Sequence, residues 1–216
     1  MVAASASPEL FSFLMFPHLV RMMFREMANP LALKVSDIAS HLPTLYTLAK
    51  HWSHGYVVEL GVGQGFSTLA LLAGVVEGGG GLISYDNDPD VKNNALKIFG
   101  IPANNWEIKD NWEFRVSDST AAAADFGPET VSLLFIDTLH TYEKTKEELA
   151  AWLSKIHLQG IICGHDYYLH LSEEKMWATL SGVHTAVDEF AKAHSDRFEL
   201  QVFPNDRGLF VFWPRT

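Results

Sequence analysis

The chain predicts an α/β fold, a seven-stranded and mostly parallel sheet with helices on both faces and an antiparallel hairpin at the C-terminus. Three observations carry this. From about residue 55 onward, strand-length apolar runs alternate with helix-length runs, the pattern of a sheet covered on both sides. The run 131–136 (Val-Ser-Leu-Leu-Phe-Ile) is almost wholly apolar, as a strand buried on both faces must be. Two last apolar runs, 198–203 and 209–213, flank the turn Pro204-Asn205-Asp206-Arg207-Gly208 and read as a closing pair.

In chain order, helical patterns are expected over 8–28 and 36–52, with Pro30 and Pro43 as punctuation. Strand 57–60 follows, then helix 67–76 and a flexible Gly78–Gly81 turn. Strand 82–86 leads to helix 89–99, with Pro89 in its first turn. Strands 112–116 and 131–136, helix 143–155, strand 161–164 and helix 182–193 complete the alternation. The expected division is an N-terminal helical extension, 1–52, serving as substrate cap or oligomer contact, and one domain over 53–216.

The bulk numbers narrow the function. Two hundred and sixteen residues suit one domain with a full core, and 48% hydrophobic with 19% charged residues is globular rather than disordered. A net charge of −10 without a Lys/Arg cluster disfavours a nucleic-acid partner. The lone Cys163 excludes an internal disulfide, fits a reducing cytoplasm, and reads as a small core residue in an apolar strand. The apolar run 10–20 is broken by Pro17 and His18 and is too short to span a bilayer. No membrane partner is expected; an amphipathic helix packed on the domain or on a second subunit is, and with it a homo-oligomer.

The most informative stretch is Glu59-Leu60-Gly61-Val62-Gly63-Gln64-Gly65-Phe66-Ser67-Thr68. An apolar strand meets an acid, three alternate glycines follow, and a helix starts. The glycines let backbone approach a ligand, and the helix start offers free N–H groups and partial positive charge. A dinucleotide fingerprint would need glycine at position 66, where Phe66 stands, which argues against a nicotinamide enzyme. The motif resembles motif I of class I S-adenosylmethionine (SAM)-dependent methyltransferases, a Rossmann-like family. That resemblance implies SAM as cofactor, held by Glu59, Gly61, Gly63, Gly65, Ser67 and Thr68. Glu59 would orient the ammonium end of SAM directly or through water.

Asp86 closes the second strand about 20 residues after the loop, where a carboxylate accepts hydrogen bonds from ribose hydroxyls. The alternative is a solvated acid opening the turn Asp86-Asn87-Asp88-Pro89. Asp118-Ser119 closes the third strand; the resemblance sets the pair beside the adenine, and a loop cap is the alternative.

Asp137-Thr138-Leu139-His140-Thr141-Tyr142 follows the fourth strand, and Gly160-Ile161-Ile162-Cys163-Gly164-His165-Asp166-Tyr167 spans the fifth and its end. With Gly182-Val183-His184-Thr185-Ala186-Val187-Asp188-Glu189-Phe190, these segments resemble the small methyltransferases that include macrolide sugar O-methyltransferases and cephalosporin-hydroxylase-like proteins. The resemblance covers about 55–213. It implies transfer of a methyl group to a hydroxyl of a small molecule. It also implies a divalent metal, Mg²⁺ or Mn²⁺, on Asp137, His165 and Asp166, with Asp137 at the edge of the cofactor site. Carboxylates suit Mg²⁺ and imidazole suits Mn²⁺, Fe²⁺ or Zn²⁺. The alternative is that His165 and Asp166 orient a loop.

His140 stands three residues after Asp137, where related catechol-type enzymes carry a lysine, and is expected to be the catalytic base beside Asp137. Otherwise it bonds Tyr142 or Glu143 at a helix start. Tyr167, Tyr168, Trp112, His170 and Trp177 are candidates for the acceptor pocket, and Arg207 for an acidic acceptor. Three other readings stay open: a SAM-binding protein without catalysis, an N-methyltransferase, and an iron hydroxylase. The last is disfavoured because His165-Asp166 lacks a His-x-Asp spacing.

Overall fold

The computed structural model describes residues 36–98, 106–169 and 182–215. A short 3₁₀ turn, Ala39–His41, leads into helix α1 (Leu42–His51), with Pro43 in its first turn rather than breaking it. Then come β1 (Tyr56–Leu60), α2 (Phe66–Gly78), β2 (Leu82–Asp86), α3 (Val91–Ile98), α4 (Trp106–Asn111) and β3 (Trp112–Val116). A 3₁₀ turn at Ala121–Asp125 precedes β4 (Val131–Ile136). The chain finishes with α5 (Tyr142–Trp152), β5 (Ile156–Gly164), α6 (Val183–Ala193), β6 (Phe198–Phe203) and β7 (Leu209–Pro214).

One seven-stranded sheet has the order β3-β2-β1-β4-β5-β7-β6. The first five strands are parallel, and β7 runs antiparallel to both β5 and β6. The chain starts at β1 and winds outward in both directions, so β1 and β4 meet at the point where the winding reverses. Ligands of such sheets bind at the carboxyl ends of the strands beside that point.

Helix α2 is apolar nearly all round, with Leu69 through Val75 buried. The reason is its position between the sheet and α1. A Cβ on Gly74 would stand 2.5 Å from the Tyr46 carbonyl oxygen and 2.7 Å from Ala49 Cβ, so glycine there lets the two helices touch. Leu42, Leu45, Leu48 and Ala49 join the same buried cluster as β1 and α2. Helix α1 is thus built into the core of the domain expected to begin at 53. The expected helix over 8–28 lies outside the described residues.

The differences from the sequence reading are local, among them the start of α3 at Val91, two residues after Pro89. Strand β5 starts five residues before the expected 161, helix α5 ends at Trp152 with a 3₁₀ turn to Lys155, and α4 was not anticipated. Helix α2 runs on from 76 to Gly78, where Gly79, at φ +81°, caps it. Strand β7 extends to Pro214. Helix α1 starts at Leu42, six residues into the expected 36–52. Cys163 is fully buried in β5, as expected. Among the described residues no helix is long and apolar enough to cross a membrane.

Candidate active site

The turns after β1 to β5 enclose a cleft of about 730 Å³ at the carboxyl end of the sheet. Parallel pairing aligns Leu60 with Tyr85 and with Ile136, and Ile136 with Gly164, so the residues after these strand ends converge.

The glycine loop forms one wall. Gly61, Gly63 and Gly65 have φ of +88°, +51° and +85°, a region costly to residues with a Cβ. Gly61 has a second reason: a Cβ there would overlap the carbonyl oxygen of Asp137. Gly65 caps α2, whose first residues, Phe66 and Ser67, line the cleft.

Glu59 does not reach the cleft. It is wholly buried, and its two carboxylate oxygens accept hydrogen bonds from Ser67 Oγ (2.7 Å), Thr68 Oγ1 (2.8 Å) and Ser84 Oγ (2.6 Å). Thr68 is likewise sealed off. Glu59, expected to orient SAM directly or through water, here forms with Ser67, Thr68 and Ser84 a brace that ties β1 to α2 and β2. Burial raises the Glu59 pKa to about 7, even though the three hydroxyls favour the charged form.

Asp86 faces the loop from the end of β2. Its Oδ2 accepts from Val62 N (2.9 Å) and Gly63 N (3.4 Å), and its Oδ1 from Asp88 N (3.0 Å). It lines the cleft beside the glycines. Asp118 also lines it, and caps the following turn through Thr120 N (2.9 Å) and Ala121 N (3.0 Å). Lys144 holds it at 2.6 Å, and this contact keeps the Asp118 carboxyl below its ordinary value. Ser119 is buried at the same wall.

The adjoining wall carries the reactive cluster. His140 Nε2 stands 3.0 Å from Asp137 Oδ1 and 2.9 Å from Asp166 Oδ2. It bonds Asp137 and Asp166, rather than Tyr142 or Glu143 as the alternative had it. His140 and Asp166 both sit at positive φ, +57° and +62°, so the backbone is bent to bring them together. His165 Nδ1 lies 3.4 Å from Asp166 Oδ2 and 3.9 Å from Asp137 Oδ1. The other His165 nitrogen, Nε2, donates to the Asp206 carbonyl at 2.8 Å, which turns Nδ1 toward the carboxylates.

Burial pulls the pKa of His140 down, but hydrogen bonds with Asp137 and Asp166 outweigh it and push the value to about 10. His165 is raised to about 9 against the same burial, by Asp166 and Asp137. Asp166 is held well below the usual carboxylate range by the two histidines, although burial opposes this. Without a metal, therefore, His140 carries its proton at neutral pH and is not a free base.

The cluster fits a divalent cation. One ligand atom each from Asp137, His140 and Asp166 lie within 4.8 Å of one another. Asp166 Oδ1 is buried with no hydrogen-bond partner among the described residues, and the Arg207 guanidinium stands 3.7 Å away. The expected set was Asp137, His165 and Asp166. The geometry groups Asp137 and Asp166 with His140, expected only as base, and leaves His165 beside that set, farther from both carboxylates.

Other expected pocket residues lie elsewhere. Trp112 is buried at the start of β3, at the far end of the sheet, with its indole N–H on Ser84 Oγ (2.9 Å). Tyr167 donates to Asp188 Oδ1 (2.7 Å), and Tyr168 packs over Gly208; neither lines the cleft. His170 and Trp177 lie outside the described residues. Arg207 is tied to Asp37 Oδ2 at 2.6 Å. Sequence reasoning missed Asp37, Leu139 and Lys144, which line the cleft. Lys144 had a signal in its place one turn into the helix after Asp137; Asp37, distant in sequence, had none.

This strand order, with a glycine loop after β1 and acids after β2, β3 and β4, defines the class: the fold is that of class I SAM-dependent methyltransferases. A family profile described as a methyltransferase domain matches residues 58–167, half of the chain, and the chain belongs to that family. Similar solved structures include the S-adenosylhomocysteine (SAH)-bound methyltransferase PaMTH1 of Podospora anserina, at 13% identity and TM-score 0.66, covering 100% of both chains. An O-methyltransferase from Bacillus cereus in complex with SAH aligns at 14% identity and TM-score 0.61, over 92% of this chain and 91% of that one. The SAM complex of the O-methyltransferase TomG from Streptomyces achromogenes aligns at 15% identity and TM-score 0.61, over 93% of this chain and 89% of that one. At such identities the likeness is one of fold. No curated protein matches the sequence.

Proposed function

We propose that this protein transfers the methyl group of SAM to a hydroxyl of a small molecule, assisted by a divalent metal. One observation carries the reading: the Gly61–Gly65 loop with Asp86 and the Asp137–His140–His165–Asp166 cluster line one cleft. SAM-bound and SAH-bound neighbours of the same fold support the choice of cofactor. The O-methyltransferases among them support oxygen as acceptor.

Methyl transfer is an in-line displacement. The acceptor oxygen bonds to the methyl carbon, and the sulfur leaves with the electron pair of the broken bond, giving SAH. The protein's task is to position the two partners and to manage the acceptor's proton. Gly61, Gly63, Gly65 and Ser67 shape the cofactor side, Asp86 takes ribose hydroxyls, and Asp118 and Ser119 form the far wall. The second carboxylate oxygen of Asp137 would take the acceptor's proton, because His140 Nε2 is committed to the metal in this reading and protonated without it. Asp137, His140 and Asp166 would hold the metal, which would supply Lewis acidity that favours loss of the acceptor's proton. An imidazole with two carboxylates suits Mn²⁺ or Fe²⁺ better than Mg²⁺. The net charge of −10 supports a small-molecule acceptor over a nucleic acid.

Calorimetric titration of the full chain with SAH, after chelation and after adding Mn²⁺ or Mg²⁺, tests both parts. Binding of SAH in the micromolar range is expected, changed by Mn²⁺ more than by Mg²⁺. An absence of binding in every condition would remove the cofactor assignment; binding indifferent to metal would remove the metal.

A further inference from the structure

Helix α5 begins directly after the Asp137–His140 segment, and one of its faces meets the turn after β3. Lys144, Glu148 and Trp152 are spaced four apart and share that face. Lys144 Nζ donates to Asp118 Oδ2 (2.6 Å) and Thr120 Oγ1 (3.0 Å). Trp152 Nε1 donates to the Ser119 carbonyl (2.9 Å). Between them, Glu148 Oε1 accepts from Ser119 Oγ (2.5 Å) and from Thr138 Oγ1 (2.8 Å).

Ser119 and Thr138 both line the cleft, whereas Glu148 stands behind them, fully buried. One carboxylate oxygen thus fastens the turn after β3 to the turn after β4, next to Asp137. A buried acid is a costly way to fill a helix face, and an apolar residue would pack there at lower cost. The other oxygen, Oε2, is buried with no hydrogen-bond partner among the described residues. Burial raises the Glu148 pKa, against the hydrogen bonds from Ser119 and Thr138, which favour the charged form.

We propose that Glu148 is a positioning residue for the cofactor: by holding Ser119 and Thr138 together, it sets the spacing of the two cleft walls and thereby the affinity for SAM. The inference rests on the SAM reading above and adds to it a residue that no sequence motif marks.

The test is SAH titration of the full chain in five forms: wild type, Glu148→Gln, Glu148→Ala, Ser119→Ala and the double variant Glu148→Ala/Ser119→Ala, which closes a cycle. Glutamine keeps the shared acceptor oxygen and is expected to bind SAH within about twofold of wild type. Alanine removes it and is expected to weaken SAH by about 10-fold, the size of one or two hydrogen bonds. The double variant is expected to bind no worse than Glu148→Ala, because the two changes break one contact. Equal SAH affinity for wild type and Glu148→Ala would overturn the inference, as would strict additivity in the cycle, the mark of general loosening. If Glu148→Ala fails to fold, Ser119→Ala and Thr138→Val each delete one arm, and unchanged affinity in both overturns it equally. Failure of the wild type to bind SAH would instead strike the cofactor reading.

Discussion

The backbone of Gly61 lies so close to that of Asp137 that no side chain fits between them. The last residue pairs of β1 and β4 bring the two turns together, with Asp137 N on the Leu60 carbonyl at 2.8 Å. Cofactor loop and reactive cluster are therefore in contact through backbone.

Gly61→Ala is expected to cost about 2–5 kcal/mol, because it adds both an overlap with backbone and strain at φ +88°. Urea unfolding would measure the cost. SAH titration of the folded variant would show whether the loop has moved. A variant as stable as wild type would mean the close approach is not real.

Glu59 makes stability depend on pH in a definite direction. Its pKa is about 7 when folded and its ordinary value is 4.5, so the folded state binds the proton more tightly. Stability is then expected to fall as pH rises from about 4.5 to about 7 and to level off above, by at most about 3 kcal/mol from this group. Glu59→Gln should lack that component while keeping an acceptor for the hydroxyls. The check is the difference between the two unfolding curves across that range.

Asp86→Asn removes the charge that meets the glycine loop and, in the proposed complex, the ribose hydroxyls. Losing one charge-assisted hydrogen bond predicts a drop in SAH affinity of about 10-fold. Calorimetry decides it. Unchanged affinity would leave Asp86 as a loop brace only.

Asp166→Asn is expected to weaken Mn²⁺ binding by at least about 10-fold, measured by the electron paramagnetic resonance of free Mn²⁺, and to reduce turnover in proportion. Wild type should prefer Mn²⁺ to Mg²⁺. Full turnover of Asp166→Asn, or of wild type under strong chelation, would exclude metal assistance.

Much of this was legible in the letters. Strands 82–86, 112–116, 131–136 and 198–203 fall where apolar alternation and turn residues set them, because local pattern and burial agree there. The cluster was legible as strand-end residues, since parallel strands deliver their C-terminal turns to one place. The side chains' orientations were not. Glu59 looks like a cofactor acid until Ser67, Thr68 and Ser84 are seen to enclose it. Tyr167 looks like a pocket aromatic until Asp188, 21 residues on, is seen to take its hydroxyl. Such contacts depend on which way a turn bends, and the positive φ at His140 and Asp166 is not written in their residue types.

The turn between β6 and β7 holds two histidines by its main chain: the Asn205 carbonyl takes His41 at 2.6 Å and the Asp206 carbonyl takes His165 at 2.8 Å. Every residue type carries a carbonyl, so these grips ask for a shape and not for particular letters. The shape is strict, with Asp206, Arg207 and Gly208 all left-handed in succession. Two proteins sharing this centre could thus differ at Asn205 and still seat the imidazoles alike, while positions 206–208 are held to residues that tolerate a left-handed backbone, glycine above all where Tyr168 closes on Gly208.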